Sequence, residues 1–273
     1  MKFAASKFKM TAMAATNYTF GDNERASARL RRLAELHEPE TRELLQDCGA
    51  RSPHLAVDLG CGPGWSTRLL REILEADRTV GLDASERYIA EAESNNGDAT
   101  VEFEVHDVVH TPFPVVAPNV MLCRFLLTHL RAPGEVLANW ASVAALNGLL
   151  IVHETESLET EHPRLRRYYE LVARLQEHYG QTLRVGAVLE DCFVNTGWRL
   201  MDSRRRVVER PARSLAELHL ANLRTWRNDP FACRSFDPGE IDLIERSLER
   251  IVSGVENAGV VVNAARQIIA QRI

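Results

Sequence analysis

No apolar run in this sequence approaches the roughly 18 to 20 residues that carry a helix across a bilayer, which excludes a membrane-spanning helix. Positive charge is also scarce: 33 Lys and Arg against 38 Asp and Glu leave a net charge of -5. A protein whose affinity comes from neutralising phosphates needs the opposite balance, so nucleic acid is not an expected partner. The densest basic patch, "SRRRVVER" at 203–210, reads as a strand edge protected by charge. The five cysteines (Cys48, Cys61, Cys123, Cys192, Cys233) include no C-x-x-C pair, which argues against a zinc knuckle and a disulfide framework. Reduced, mostly buried thiols in a cytoplasmic protein are the expectation. The opening "MKFAASKFKMTAMAAT" has no continuous apolar segment and reads as a loose arm, not a secretory signal. Internal repeats and low-complexity linkers are absent.

What is present is a regular alternation. Residues 24–37 have apolar positions at helical spacing (Ala26, Leu30, Leu33, Leu36), and Pro39 is expected to open a second short helix through residue 45. Apolar runs at 54–59, 79–82, 101–105, 120–123 and 149–153 then read as strands. Helices are expected between them at 66–76, 84–93 and 133–145. Strands separated by helices imply parallel pairing through right-handed crossovers, hence an open, doubly wound α/β sheet. After residue 156 an inserted helix is expected, with Leu165, Tyr168, Tyr169, Leu171, Val172 and Leu175 on one face. Strand signals return at 198–201, 206–208 and 260–262, with helices at 214–225 and 238–255; the last two strands can pair antiparallel at the sheet edge.

The stretch "AVDLGCGPGWST" (56–67) follows the first apolar run and packs Gly60, Gly62 and Gly64 into five positions. A dinucleotide fingerprint wants a third glycine where Trp65 stands, and the Lys-Ser/Thr ending of a phosphate loop is missing. Asp83 ends the second strand and Asp107 the third, at the rim where open α/β sheets bind ligands. A carboxylate at Asp83 can accept from both hydroxyls of a ribose, and Asp107 can accept from an adenine amino group. Taken singly, each aspartate reads equally well as a helix cap or loop residue.

The loop from Asp58 to Gly64, Asp83, Asp107 and "VMLCRFLLTHLRAPGEVL" together resemble class I S-adenosylmethionine-dependent methyltransferases of the small-molecule type with an N-terminal helical cap. The resemblance is strong over 17–156 and weak beyond. It implies a Rossmann-like, seven-stranded sheet in the order 3-2-1-4-5-7-6 with strand 7 antiparallel and helical cap additions. It also implies an S-adenosylmethionine site built from Asp58, Gly60, Gly62, Asp83, Ala84, Asp107, Val108 and the backbone around Arg124, with S-adenosylhomocysteine as product. "NYTFGDNERASARLRRLAE" resembles the cofactor-covering segment, with Tyr18 and Arg29 as contacts to the methionine carboxylate. The chain then divides into a helical arm and cap (1–50), a cofactor-binding core (51–156), and cap helices with the last strands (157–273) in one structural domain with that core. "AALNGLLIV" departs from the frequent Pro-Gly-Gly before the fifth strand, but Asn147-Gly148 can make the same turn.

The acceptor is less legible. Methyl transfer from a sulfonium is an in-line displacement that needs alignment and water exclusion more than a fixed base. His129 is the candidate general base and Glu154 the candidate orienting group, with Glu156 on the same strand face; a helix-capping His129 and solvated glutamates are the competing reading. Tyr168, Tyr169 and Trp226 are candidate pocket residues, or simply packing. "CRFL" stands where nucleic-acid amino-methylating enzymes carry an Asn/Asp-Pro-Pro-Tyr-like motif, no double-glutamate loop is evident, and no metal site of the catechol type is matched. A small organic acceptor is therefore expected, a natural-product intermediate of secondary metabolism being one candidate. Neither nucleic acid nor a membrane is an expected partner, and a homodimer is one assembly open to the chain. A non-methylating reaction on the same fold, such as a cyclisation, and a non-catalytic binding subunit are the alternatives.

Overall fold

The computed structural model describes residues 24–273. In chain order these form α1 (Glu24–Asp47), β1 (Leu55–Leu59), α2 (Trp65–Leu74), β2 (Arg78–Asp83), α3 (Glu86–Ser94), β3 (Val101–Val105) and β4 (Val120–Arg124). A 3-10 turn (Leu127–His129), α4 (Pro133–Val143), β5 (Leu149–Glu159) and α5 (Pro163–His178) follow. A second 3-10 turn (Val185–Val188) runs into α6 (Leu189–Cys192). Then come β6 (Trp198–Pro211), α7 (Ala212–Trp226), α8 (Pro230–Ser235), α9 (Pro238–Ser253) and β7 (Val260–Arg272). The strands form one sheet in the order 3-2-1-4-5-7-6. β1 to β5 pair in parallel, and β7 runs antiparallel between β5 and β6.

Period-two alternation sorts the strand residues onto two covered faces. Val57, Leu59, Met121, Cys123, Leu150 and Val152 point to one side, where they pack with Leu137 and Trp140 of α4. Ala56, Val120, Leu122 and Ile151 point to the other, against Leu44 and Leu45 of α1 and Leu69, Leu70 and Leu74 of α2. Because both faces are buried, these strands are near-continuous apolar runs, which is why the sequence pattern locates them. A second core joins α5, α7, α8 and α9 around Tyr168, Leu171, Leu223, Trp226, Ile244 and Leu248.

Four elements differ from the sequence pattern. The expected pair of N-terminal helices is one continuous helix, α1, with Pro39 inside it. A proline there removes one i to i-4 hydrogen bond, yet buried Ala34 and His37 before it and Leu44 and Leu45 after it hold both halves in place. β5 continues past residue 153 to Glu159, and β7 runs the length of its two neighbours instead of stopping at 262. "NAARQIIAQR" has weak strand propensity; pairing on both sides overrides it. β6 is continuous across its polar middle, with a register shift between Leu200 and Asp202.

The basic run lies on edge strand β6, and its arginines are paired. Arg204 meets Asp47 at 2.7 Å, Arg206 meets Glu43 at 2.8 Å and Arg210 meets Glu40 at 2.7 Å, lashing α1 across the sheet edge. The Arg210 and Glu40 side chains are only 12% and 8% exposed. Arg210→Ala is therefore expected to cost about 3–5 kcal/mol in urea unfolding, because it strands a buried carboxylate; adding Glu40→Ala should restore part of the loss.

Candidate active site

The loop between β1 and α2 is held from behind. Asp58, buried at the end of β1, accepts hydrogen bonds from the hydroxyls of Ser66 and Thr67, each at 2.7 Å. Burial pushes its carboxyl up to about 6 despite those two bonds. The strand is thereby tied to the first turn of α2, and Asp58 stands outside the cavity lining. Gly60 and Cys61 donate their N–H groups to Leu82 in β2 at 2.8 and 3.0 Å. Gly60 has φ +68°, and a Cβ there would meet the Leu126 side chain at 2.8 Å. The positive φ disfavours a side chain and a Cβ would also displace Leu126, so glycine keeps the loop backbone bare on the cavity side.

Asp83 links the next rim position to that loop. One carboxylate oxygen accepts from Gly62 N–H at 2.8 Å and the other from Ser85 N–H at 2.9 Å. Ser85 in turn caps α3 by accepting from Tyr88 N–H. Asp107, after β3, accepts from Val109 N–H at 3.1 Å. Gly60, Gly62, Asp83, Ala84, Asp107, Val108, Arg124 and Arg29 all line a single cavity of about 730 Å³. The sequence-expected cofactor set is thus brought together, except for Asp58 behind the loop and Tyr18, which lies outside the described residues.

The other half of the cavity is roofed by helices. α1 contributes Arg29, Leu33 and His37; α5 contributes Tyr168, Tyr169, Val172 and Gln176; α7 contributes Leu215, Leu218, His219 and Asn222. Arg29 reaches across to the Asn222 side chain at 3.2 Å, joining α1 to α7. His129 lines this half from the 3-10 turn after β4, with its Nδ1 at 3.5 Å from Gln176 Nε2. Burial, reinforced by the charge of Arg29, lowers its imidazole to about 3, so His129 is neutral at physiological pH and a weak base.

Glu154 sits elsewhere. It is fully buried and does not line the cavity; its Oε1 accepts from Leu126 and Leu127 N–H at 2.8 and 2.7 Å. Burial pushes its carboxyl up to about 8. The place of Glu154 is beneath the turn that carries His129, not against an acceptor. Glu156 does not share its surroundings: a register shift between Thr155 and Ser157 separates the two, and Glu156 pairs with Arg205 and Arg266 at 2.7 and 2.8 Å. Trp226 also stands outside the lining, packed in the second core, while Tyr168 and Tyr169 are in the lining.

Sequence reasoning missed Gln176, Gln181, His219 and Asn222. A signal existed, since Gln176 lies seven residues after Tyr169 and His219 four after Leu215, on otherwise apolar helical stripes. Polar residues on such stripes are either satisfied in the core or turned to a ligand.

Comparison with known proteins follows the same division. Residues 57–152 match the family model described as a methyltransferase domain. The chain carries a class I S-adenosylmethionine-dependent methyltransferase domain. The trans-aconitate 2-methyltransferase of Acidovorax sp. (strain JS42) is 31% identical to it over 126 residues, 46% of this chain and 47% of that protein. The chain thus matches about half the length of this curated relative. Among solved structures, a Haemonchus contortus N-methyltransferase in complex with phosphomonomethylethanolamine and S-adenosylhomocysteine has a TM-score of 0.57 at 14% identity, covering 95% of this chain and 60% of that one. The geranyl diphosphate C-methyltransferase of Streptomyces coelicolor A3(2) has a TM-score of 0.50 at 17% identity, covering 93% and 87%. At such identities these two establish the fold of the methyltransferase domain alone. The family match ends at residue 152, before the roof helices α5 and α7 begin.

Proposed function

We propose that this chain transfers the methyl group of S-adenosylmethionine to a small organic acceptor. One observation carries the reading: a single cavity is bounded on one side by the bare glycine loop and the strand-end aspartates, and on the other by a roof of three helices. The first side fits the cofactor. Asp83 would take the ribose hydroxyls, Asp107 and the Val108 amide the adenine, and Gly60 and Gly62 would let the backbone approach the ribose and methionine part. The backbone at Arg124 would face the methionine amine, with Arg29 toward the carboxylate. When bound, S-adenosylmethionine supplies an electrophilic methyl group on a sulfonium.

The protein's share of such a displacement is alignment and shielding. Leu126 and Leu130, on the segment after β4, wall the cavity together with Leu215 and Leu218 of the roof. A neutral His129 suits hydrogen bonding that orients a nucleophile better than it suits storing the nucleophile's proton.

Trans-aconitate, named for the curated relatives, belongs in any first acceptor panel, although the roof lies beyond the family match. The test is a labelled-methyl assay on the purified chain, with the product identified by mass. The expected result is an acceptor heavier by one methyl group together with S-adenosylhomocysteine. Absence of S-adenosylmethionine binding by calorimetry under folded conditions overturns the reading.

A further inference from the structure

Among the buried polar atoms without a hydrogen-bond partner are two on cavity-lining residues of the roof, Oε1 of Gln176 on α5 and Nδ1 of His219 on α7. Both residues line the cavity, and they are 1% and 6% exposed. A buried polar group without a partner costs roughly 1–3 kcal/mol, so a pair on residues that line one cavity points to a ligand that supplies the missing partners.

The local chemistry says what those partners must be. A neutral imidazole has one donor and one acceptor nitrogen. Gln176 turns its amide Nε2 toward His129 Nδ1 at 3.5 Å, which leaves its amide oxygen on the other side. Gln176 Oε1 is left as an acceptor that needs a donor. On α7, the Tyr169 hydroxyl lies 2.8 Å from His219 Nε2. A neutral phenol donating to Nε2 leaves the imidazole proton on Nδ1, a donor that needs an acceptor.

Spacing and charge complete the description. Tyr169 and Gln176 are seven residues apart on α5, two turns or about 10 Å along one face, with Val172 between them. Among the described residues the charged side chains in the lining are Arg29, Arg124, Asp83 and Asp107, and both aspartates belong to the strand-end rim. Among those residues no carboxylate lines the cavity from α1, α5 or α7, so a cationic group under the roof would find no described carboxylate beside it.

Resting on the methyltransferase reading above, we propose that the acceptor is an elongated molecule without a cationic group, bearing a hydroxyl at one end and a carbonyl or ether oxygen at the other. The hydroxyl that receives the methyl donates to Gln176 Oε1, the far oxygen accepts from His219 Nδ1–H, and an apolar middle lies over Val172. Gln176 and His219 are then specificity-determining contacts, and Tyr169 is a positioning residue that fixes the His219 tautomer. In the transfer, the hydroxyl oxygen forms the new bond to the methyl carbon as the carbon–sulfur bond breaks; the hydroxyl proton leaves to solvent, and the sulfur keeps the bonding pair.

The test is a labelled-methyl assay with three matched sets of aromatic compounds: neutral phenols with a ketone, such as 4-hydroxychalcone, and without one, the corresponding amines, and the corresponding carboxylic acids. Calorimetry with S-adenosylmethionine is run first on every variant. Methylation of the phenolic set is expected. Gln176→Leu should lower kcat/KM about tenfold across that set. His219→Phe should raise KM about tenfold for ketone-bearing phenols and leave ketone-free phenols unchanged, a split that a merely structural role would not produce. Tyr169→Phe should give a smaller rise with the same split. Normal cofactor binding with methylation of amines or acids only, of no hydroxyl compound, or with both variants indistinguishable from wild type, overturns the proposal. Loss of cofactor binding in the wild-type chain overturns the methyltransferase reading instead.

Discussion

Asp83→Ala is expected to weaken S-adenosylmethionine binding by at least about 100-fold. The Asp83 carboxylate bridges the loop at Gly62 and the start of α3 at Ser85 through two N–H bonds. Asp83 also lines the cavity, and a carboxylate there can accept from ribose hydroxyls. Hydrogen bonds to a charged group contribute roughly 1.5–3 kcal/mol each, and two of them amount to two or more factors of ten in affinity. Asp83→Asn retains an acceptor oxygen and the side-chain shape, and about a tenfold loss is expected from it. Isothermal calorimetry checks both variants, with thermal unfolding of the unliganded proteins as a control for loop collapse. Wild-type affinity in Asp83→Ala would remove this residue from the cofactor site.

Glu154 carries the second large effect, on stability. Removing its side chain leaves the Leu126 and Leu127 N–H groups without their acceptor in the interior and opens a cavity beneath the turn that bears His129. Glu154→Ala is expected to destabilise the fold by about 3–5 kcal/mol. Glu154→Gln separates hydrogen bonding from charge. The buried carboxyl titrates near 8 in the folded chain, far above the ordinary glutamate range. Between the unfolded and folded values the native state holds a proton that the unfolded chain releases, so the contribution is full below about 4.5 and fades as pH rises through 8. The fading amounts to as much as about 5 kcal/mol, at roughly 1.4 kcal/mol per pKa unit. A glutamine has no such dependence. Denaturant unfolding at pH 5 and pH 8.5 should therefore show the Gln variant gaining on wild type with pH; parallel curves would place the Glu154 titration outside this range.

The elements legible in the sequence are those whose burial alone dictates composition. β1 and β4 are apolar because α1, α2 and α4 cover both faces, and the glycine loop is explicit because its backbone demands glycine. β7 was legible only at its first residues, since alanine, glutamine and arginine become strand only when β5 and β6 pair with them. The rim aspartates could be placed from strand ends. Glu154 could not, because its role depends on how far the chain turns after Arg124, and one register shift in β5 decides which of Glu154 and Glu156 faces inward. The roof residues escaped for a related reason: a glutamine or histidine on an apolar stripe has the same spacing whether it closes a core or meets a ligand.

Two histidines that line the cavity, His129 and His219, are held neutral by burial, each with its imidazole lowered to about 3. Neither changes charge across the range in which enzymes are usually assayed. If turnover nevertheless rises along a sigmoid between pH 5 and pH 9, its midpoint belongs to the bound acceptor or to the buried carboxyls of Asp58 and Glu154, pushed up to about 6 and about 8, and not to these histidines. A midpoint away from 6 that Glu154→Gln leaves unmoved then becomes a gauge of the nucleophile's own acidity, readable before the acceptor has been identified.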